Sequence, residues 1–184
     1  RSFGMQGFAL VTLGRLVPVK GLVEAARALA DREEVEWWIA GDGPERTLLD
    51  RIARNSRARI RLIGEVGGAR KEALLRAADA FLRPSRVLAS GRTEGAPTAS
   101  TEAMARGVPV IASHVGGIPE LVRHEKSGLL FDPEDPRALV SAVERLRCDR
   151  DLRAALGEGA RDDARRLTWE RIAPTLEGWL SPAT

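Results

Sequence analysis

Two glutamates with seven residues between them stand in the segment of the sequence that is richest in chemical groups. They are Glu94 and Glu102, and Gly95 and Pro97 follow the first of them. Glycine and proline interrupt any helix that would hold both carboxylates, so Glu94 is predicted in a loop and Glu102 about one turn into a helix that begins near Pro97 or Thr98. Both carboxylates can then face one crevice.

The predicted start of this helix suits an anion that carries hydroxyl groups on both sides. Unpaired backbone N–H groups and the positive end of the helix dipole favour a phosphate by about 0.3–2 kcal/mol. A carboxylate that accepts hydrogen bonds from hydroxyls contributes roughly 1.5–3 kcal/mol per bond, less where solvent competes. This combination fits a nucleotide sugar. The alternative is that Glu94 or Glu102 only caps the helix, because acidic residues favour a first helical turn.

A basic loop follows the first predicted strand. It carries Arg15 and Lys20, five residues apart, between Gly14 and Gly21. Two nearby cations can neutralise a diphosphate, while the glycines let the backbone approach it closely. Lys20 is also one of only three lysines among 29 basic residues. An ordinary charged surface loop is the alternative.

The loop after the second predicted strand begins Gly41-Asp42-Gly43. It matches only part of the dinucleotide fingerprint G-x-G-x-x-G, because Arg46 stands at the third glycine position and the loop does not follow the first strand. A tight turn is the favoured interpretation, and a ligand-lining role for Gly41 is the alternative. The missing fingerprint argues against an NAD-dependent dehydrogenase.

Short apolar runs alternate with amphipathic segments along most of the chain. Strands are predicted at 8–13, 35–40, 60–63, 80–82, 108–112 and 129–131, with helices that include 71–78 and 98–105. Such alternation requires crossovers that carry helices over both faces of a parallel sheet. We therefore predict an α/β fold with a Rossmann-like, doubly wound parallel sheet. Extra carboxyl-terminal helices are expected from Pro136 onward, including Trp169 and Trp179.

Composition indicates an ordinary folded domain. The chain has 184 residues, 43% hydrophobic and 30% charged, which excludes disordered, collagen-like and disulfide-scaffold classes, and we expect one domain over 1–184. The single cysteine, Cys148, cannot form an internal disulfide, no apolar run reaches about 18 residues, and the first residues lack a signal-peptide pattern. We expect a cytoplasmic protein.

The net charge of +3 is spread along the chain. Arginines alternate with acidic residues, so no nucleic-acid partner is expected. The densest basic cluster, the five arginines between 51 and 61, is predicted to be a solvated face. Attraction to an anionic membrane surface or an anionic substrate is the alternative for this cluster.

Several motifs together resemble glycosyltransferase family 4 in order and spacing. These are Gly14-Arg15 with Lys20-Gly21, the pair Glu94 and Glu102, the segment GVPVIAS at 107–113 and GGIPE at 116–120. The resemblance covers essentially all of the chain. It implies the carboxyl-terminal, donor-binding half of a retaining enzyme with the GT-B fold, and the stretch 84–95 is most similar to members that build exopolysaccharides such as colanic acid.

The resemblance also implies roles for single residues. Arg15 and Lys20 would hold the donor diphosphate and stabilise the departing nucleotide, Glu94 would bind hydroxyls of the donor sugar, and Glu102 would bind the ribose. Arg15, Lys20 and Glu94 form the expected catalytic set, with no cofactor and no metal. The expected nucleotide-sugar-binding residues are Gly14, Arg15, Lys20, Gly41, Gly64, Val66, Glu94, Gly95, Ala96, Pro97, Thr98 and Glu102.

Two departures from the family pattern stand out. Ala99, Ser100 and Thr101 replace bulky apolar residues, and the chain contains no amino-terminal domain with its acceptor site and catalytic histidine. His114 and His124 do not match that histidine, so both are predicted in loops or at the surface, with a cleft-lining role for His114 as the alternative. The terminal tryptophans either face the missing domain or cover the sheet.

The expected function is donor binding for transfer of a hexosyl group from a UDP-, GDP- or ADP-sugar to a polysaccharide or lipid-linked acceptor. The chain alone is expected to bind the donor but barely to transfer. The full-length enzyme is expected in the cytoplasm, with peripheral association at the inner face of the membrane left open. The alternatives are a nucleotide-sugar 2-epimerase of the same architecture and a non-catalytic Rossmann-like binding domain.

Overall fold

The computed structural model describes residues 4–95, 97–168 and 173. Six strands form one sheet in the order β3-β2-β1-β4-β5-β6, and every neighbouring pair is parallel. The predicted Rossmann-like α/β fold is therefore confirmed. The strands are β1 (Phe8–Leu13), β2 (Val35–Ala40), β3 (Arg59–Leu62), β4 (Ala80–Arg83), β5 (Val110–Ser113) and β6 (Gly128–Phe131).

Helices occupy the crossovers between these strands, and two further helices follow the last strand. A 3₁₀ turn, Pro18–Lys20, precedes the first of them. The α-helices are α1 (Leu22–Leu29), α2 (Arg46–Arg54), α3 (Gly68–Ala77), α4 (Thr98–Ala105), α5 (Ile118–Leu121), α6 (Pro136–Cys148) and α7 (Arg150–Arg166). The predicted bounds of α4 are confirmed, whereas α5 and the 3₁₀ turn are not among the predicted elements.

The predicted start of β5 at residue 108 is wrong by two residues. The N–H of Val108 donates to the carbonyl of Ala103 at 3.1 Å, so this residue closes the end of α4 instead of opening a strand. Pro109 follows and has no N–H to give to the sheet. The strand begins at Val110, the first residue that pairs with β4.

Side chains of β1 alternate between two hydrophobic clusters, one on each face of the sheet. Phe8 and Leu10 pack in one cluster with α1, α2 and α6, and Ala9 and Val11 pack in the other with α3, α4 and α5. Helix α7 contributes to both clusters. Burial of each large apolar side chain stabilises the fold by roughly 1.5–3 kcal/mol.

The chain reverses its winding direction between β1 and β4. Strands β2 and β3 lie on one side of this pair, and β5 and β6 lie on the other. Loops that leave β1 and β4 therefore diverge, which opens a crevice at the carboxyl ends of the strands, the usual ligand site of such sheets. The predicted functional residues of 14–20 and 94–102 lie on these two connections.

Most of the predicted terminal helical segment after residue 168 lies outside the described residues. Trp169 and Trp179, predicted in the terminal helices, lie outside the described residues. Within the described part of the chain, no helix has both the length and the apolar character to span a membrane.

Candidate functional site

An ion pair joins the two connections at the crevice. Lys20 Nζ donates to both carboxylate oxygens of Glu94, at 2.8 Å to Oε1 and 2.6 Å to Oε2. Ser85 Oγ donates to the same Oε2 at 3.1 Å. The two charged side chains are only 18% and 14% exposed. The structure thus brings together two of the three predicted catalytic residues, which are 74 positions apart in the sequence.

A buried arginine lies behind this pair. Arg83, the last residue of β4, is 2% exposed, and its Nη1 lies 3.9 Å from Oε2 of Glu94. Its Nη2 donates to the carbonyl of Leu13 at the end of β1, at 3.1 Å. Sequence reasoning missed this residue, because an arginine at the end of a short apolar run normally reaches solvent.

The environment of the site lowers the pKa of Lys20. Burial of the ammonium is the largest cause, and the positive charge of Arg83 adds to it, while the hydrogen bond and the charge of Glu94 oppose both. Burial also lowers the pKa of Arg83, opposed by Glu94. A guanidinium nevertheless stays protonated in proteins. Two cations therefore share one carboxylate, and the cluster of Lys20, Arg83 and Glu94 carries an excess positive charge that favours an anion.

Two glycines allow the loops to approach closely enough to form the pair. Gly21 has φ +62°, and a Cβ at this position would lie 1.9 Å from the carbonyl oxygen of Pro84. Gly116 has φ +54°, and a Cβ there would lie 2.0 Å from the carbonyl oxygen of Glu94. The N–H of Gly117 also donates to that carbonyl, at 3.2 Å. The glycine pair at 116–117 therefore supports the backbone of Glu94.

The second carboxylate has a different partner. Lys71 on α3 donates from Nζ to Oε1 of Glu102 at 3.0 Å and lies 2.8 Å from its Oε2. These side chains are 33% and 36% exposed. Lys71 has no predicted role, and its position near the site follows only from the crossing of α3 and α4 in space.

A cavity of about 280 Å³ lies beside the ion pairs. It gathers four of the predicted binding residues, Gly14, Arg15, Gly41 and Val66, together with Lys71. The remaining lining residues are Leu13, Ala40, Asp42 and Glu65. Lys20 adjoins this cavity, since its Cε would lie 3.9 Å from a Cβ on Gly14.

Gly64 contributes to the shape of the cavity through its backbone. Its carbonyl accepts a hydrogen bond from the N–H of Gly41 at 2.8 Å, which ties the loop after β3 to the loop after β2. Gly64 does not itself line the described cavity.

Helix α4 begins at Thr98 as predicted, with Pro97 buried before it and Gly95 exposed. Ala96 lies outside the described residues. In the first turn of α4, Ser100 is buried. Its hydroxyl has no hydrogen-bond partner among the residues that the structure describes. Packing of α4 depends instead on Ala103 and Met104, which are fully buried in the core.

The two histidines are exposed, which confirms their predicted surface position. They line a separate cavity of about 520 Å³ with Asp132, and Nδ1 of His124 accepts a hydrogen bond from the N–H of Leu130 at 3.0 Å. Across the described ranges, no group of three or more His, Cys, Asp or Glu side chains is placed to hold a metal ion.

Comparisons with known proteins match most of the chain to one family. The family model described as "Glycosyl transferases group 1" matches residues 4–163. A D-inositol 3-phosphate glycosyltransferase of Salinispora tropica is 33% identical over 189 residues, which cover 93% of this chain and 37% of that protein. The putative colanic acid biosynthesis glycosyltransferase WcaL of Escherichia coli is 37% identical over 142 residues, covering 73% of this chain and 34% of that protein.

The fold of this chain is also similar to that of a solved structure. The crystal structure of Anabaena HepE in complex with UDP matches 94% of this chain and 49% of that protein, with a TM-score of 0.81 and 26% identity. The chain thus spans between about a third and a half of the length of these similar proteins. The expected resemblance to this class of glycosyltransferase, including colanic acid enzymes, is confirmed.

Proposed function

Because the chain belongs to the glycosyl transferases group 1 family, we propose that it binds a nucleotide-sugar donor for a retaining hexosyltransferase. The observation that carries this proposal is the Lys20–Glu94 ion pair at the switch point of the sheet, beside a cavity that also holds Arg15. A cationic group and a carboxylate at one crevice match the two chemical parts of such a donor, its diphosphate and its sugar hydroxyls.

Transfer leaves negative charge on the departing nucleoside diphosphate. Positive groups fixed where this charge develops lower the barrier, because they need no reorganisation during the reaction. Lys20 and Arg15 occupy that role in the proposal, and the start of α4 adds the dipole of an eight-residue helix. No metal is required in this scheme, since the side chains supply the charge.

The carboxylates divide the hydroxyl groups of the donor between them. Glu94, on the connection after β4, is proposed to accept hydrogen bonds from the donor sugar. Glu102, one turn into α4, is proposed to accept them from the ribose. The base is proposed to lie against Val66 and Gly41, which line the cavity beside Ala40, Asp42 and Glu65.

The identity of the donor and acceptor is proposed by analogy with similar proteins. HepE is described with UDP bound, and WcaL is described as a colanic acid enzyme, which supports a nucleoside diphosphate sugar and a polysaccharide or lipid-linked acceptor here. We propose that the rest of the enzyme, corresponding to the part of the relatives that this chain does not span, supplies the acceptor site. In that case the chain alone binds donor but transfers poorly, and peripheral membrane association would belong to the complete enzyme in the cytoplasm.

Calorimetric titration of the chain with UDP, GDP and ADP, each with and without Mg²⁺, tests this function. We expect one nucleotide to bind without the metal. Lys20→Met should abolish that binding, whereas Lys126→Met, which removes an exposed lysine, should not change it. Absence of binding to all three nucleotides would contradict the proposal and favour a non-catalytic domain of the same fold.

A further inference from the structure

Lys20 cannot fully serve both Glu94 and a diphosphate. Its ammonium donates to both oxygens of that carboxylate, at 2.8 and 2.6 Å. An ammonium has three N–H donors, and the two hydrogen bonds to Glu94 use two of them, so only one is left for a phosphate that could accept several. A phosphate that takes over this cation therefore draws it away from Glu94.

Loss of that cation would leave a carboxylate that is only 14% exposed without its closest counter-charge. Removing one partner from a largely buried ion pair is costly, because the remaining charge is no longer compensated. Exchange of Lys20 from Glu94 to a ligand is feasible only if a second positive group remains beside the carboxylate.

Arg83 meets this requirement. Its Nη1 lies 3.9 Å from Oε2 of Glu94, and its charge is permanent because a guanidinium is not deprotonated in proteins. Glu94 is the one carboxylate within 4.0 Å of Arg83 in the described part of the chain. The Nε of Arg83 has no hydrogen-bond partner among the described residues, so the guanidinium can still donate one more hydrogen bond.

Direct contact between Arg83 and a ligand is disfavoured by its position. The side chain is 2% exposed and is held by the carbonyl of Leu13. It lies behind Gly14, where an added Cβ would stand 3.6 Å from Nη1. Arg83 therefore acts on a ligand through its neighbours in the site, among which Glu94 is the carboxylate that it faces.

We propose that Arg83 is a positioning residue that remains as the counter-ion of Glu94 when Lys20 moves to the diphosphate of the donor. This inference rests on the proposed donor-binding function. Glu94 then stays ionised and in place to accept hydroxyl hydrogen bonds, while Lys20 is available to the anion. Without Arg83, Lys20 would be the one cation within 4.0 Å of Glu94 in the described part of the chain, and the pair would compete with ligand binding.

Four versions of the 184-residue chain test the proposal: wild type, Arg83→Met, Glu94→Gln and the double variant. The probes are inorganic pyrophosphate and whichever of UDP, GDP and ADP binds the wild type. We expect Arg83→Met to bind at least tenfold more weakly. Glu94→Gln should bind pyrophosphate as tightly as wild type or better, because Lys20 is no longer held by a carboxylate.

The double variant separates this role from a structural one. If Arg83 acts through the charge of Glu94, adding Glu94→Gln should restore pyrophosphate affinity to within about threefold of Glu94→Gln alone. A packing defect would not be rescued in this way. Unchanged binding in Arg83→Met, or a double variant as weak as Arg83→Met, would overturn the proposal.

A second measurement on the wild type covers the case in which Arg83→Met fails to fold. The chain has three lysines, so the Cε resonances of Lys20, Lys71 and Lys126 can be followed individually by NMR. Saturation with pyrophosphate should shift the Lys20 signal and leave Lys126 unchanged. A Lys20 signal that stays fixed during binding would overturn the exchange.

Donor binding by the chain and the role of Arg83 can be disproved separately. If the wild type binds neither pyrophosphate nor any of the three nucleotides, the proposed function fails and this inference falls with it. If the wild type binds but the Arg83 and Glu94 variants do not show the expected pattern, only the role of Arg83 is overturned.

Discussion

Lys71 and Glu102 connect α3 to α4 at the carboxyl end of the sheet, with Nζ of Lys71 donating to Oε1 of Glu102 at 3.0 Å. About a third of each side chain is exposed. Such pairs contribute only about 0–1 kcal/mol to stability, because solvent screens the charges. Glu102 can therefore exchange this lysine for ligand hydroxyls at little cost, unlike the more buried Glu94.

Substitution of Glu102 should weaken binding of a nucleoside diphosphate but leave pyrophosphate binding unchanged. The proposed contact of Glu102 is with the ribose, which pyrophosphate lacks. We expect Glu102→Ala to cost about 1.5–3 kcal/mol in nucleotide affinity, the range of hydrogen bonds to a charged group. Calorimetry with both ligands measures the difference, and Glu120→Ala, at an exposed glutamate, is the matched control. Equal weakening for both ligands would contradict the ribose contact.

The binding of pyrophosphate should decline at alkaline pH through Lys20. Burial and the charge of Arg83 lower the pKa of this lysine from 10.5. The ammonium is the binding form, so affinity is complete below the lowered pKa and is lost as pH rises through it. We expect the decline to begin at a lower pH than it would for an ordinary lysine, in titrations from about pH 7 to pH 10.

Lys20→Arg provides the comparison for this pH dependence. A guanidinium keeps its charge across that range, so the alkaline decline should become shallower, and the titration of the ligand itself is common to both proteins. Lys126→Arg should retain the wild-type profile. A profile that is identical in wild type and Lys20→Arg would exclude Lys20 as the titrating group.

The sequence was sufficient to predict which loops meet. Apolar runs such as 8–13 and 35–40 have the length and composition of buried parallel strands, and the order of elements predicts a crevice at their carboxyl ends. The resemblance to glycosyltransferase family 4 then assigned Lys20 and Glu94 to one site although 74 positions separate them. Their hydrogen bond to each other was not predictable, because it depends on side-chain conformations.

Arg83 shows why part of the site could not be predicted. The sequence predicts a strand at 80–82, and an arginine directly after it would ordinarily extend into water, whereas the observed strand includes Arg83. Its burial depends on the carbonyl of Leu13, 70 positions away, and on space behind Gly14. These are properties of packed loops, and no local pattern of residue types carries them.

Gly116→Ala should weaken ligand binding without removing any ligand-contacting group. A Cβ at this position would lie 2.0 Å from the carbonyl oxygen of Glu94, and φ is +54°. The backbone of Glu94 must shift, and strain of this kind costs about 1–3 kcal/mol. We expect lower stability in urea and weaker nucleotide binding.

Gly67→Ala is the control for this substitution. Gly67 has extended backbone with φ −141°, and nothing lies within 4 Å of an added Cβ. Its nucleotide affinity should match the wild type, and its stability should fall by less than about 1 kcal/mol, because Gly67 is the N-cap of α3 and alanine caps a helix less well than glycine. Equal behaviour of the Gly116 and Gly67 variants would show that the close approach to Glu94 is not required.

The stability of the fold should depend on an acidic residue far from the ligand crevice. Asp163 on α7 is 7% exposed and accepts hydrogen bonds from Nε and Nη2 of Arg123, at 2.9 and 2.6 Å. Burial alone would raise the pKa of Asp163, but the hydrogen bonds from Arg123 and Ser127 outweigh it, and the pKa is lowered. The pair therefore ties α7 to the segment between α5 and β6 through an ionised carboxylate.

Asp163→Asn should destabilise the protein at neutral pH by about 1–2 kcal/mol, toward the low end for charged hydrogen bonds because Arg123 is partly solvated. A carboxylate with a lowered folded pKa stabilises the fold above its unfolded pKa of about 3.9 and loses that contribution as pH falls through the folded value. Urea unfolding should be measured at neutral pH and at successively lower pH. The difference in free energy of unfolding between Asp163→Asn and wild type should diminish below about pH 4. Asp162→Asn removes the largely exposed carboxylate next to Asp163 and should change the free energy of unfolding much less. A difference for Asp163→Asn that stays constant with pH would mean that packing, not the charge of Asp163, holds α7 in place.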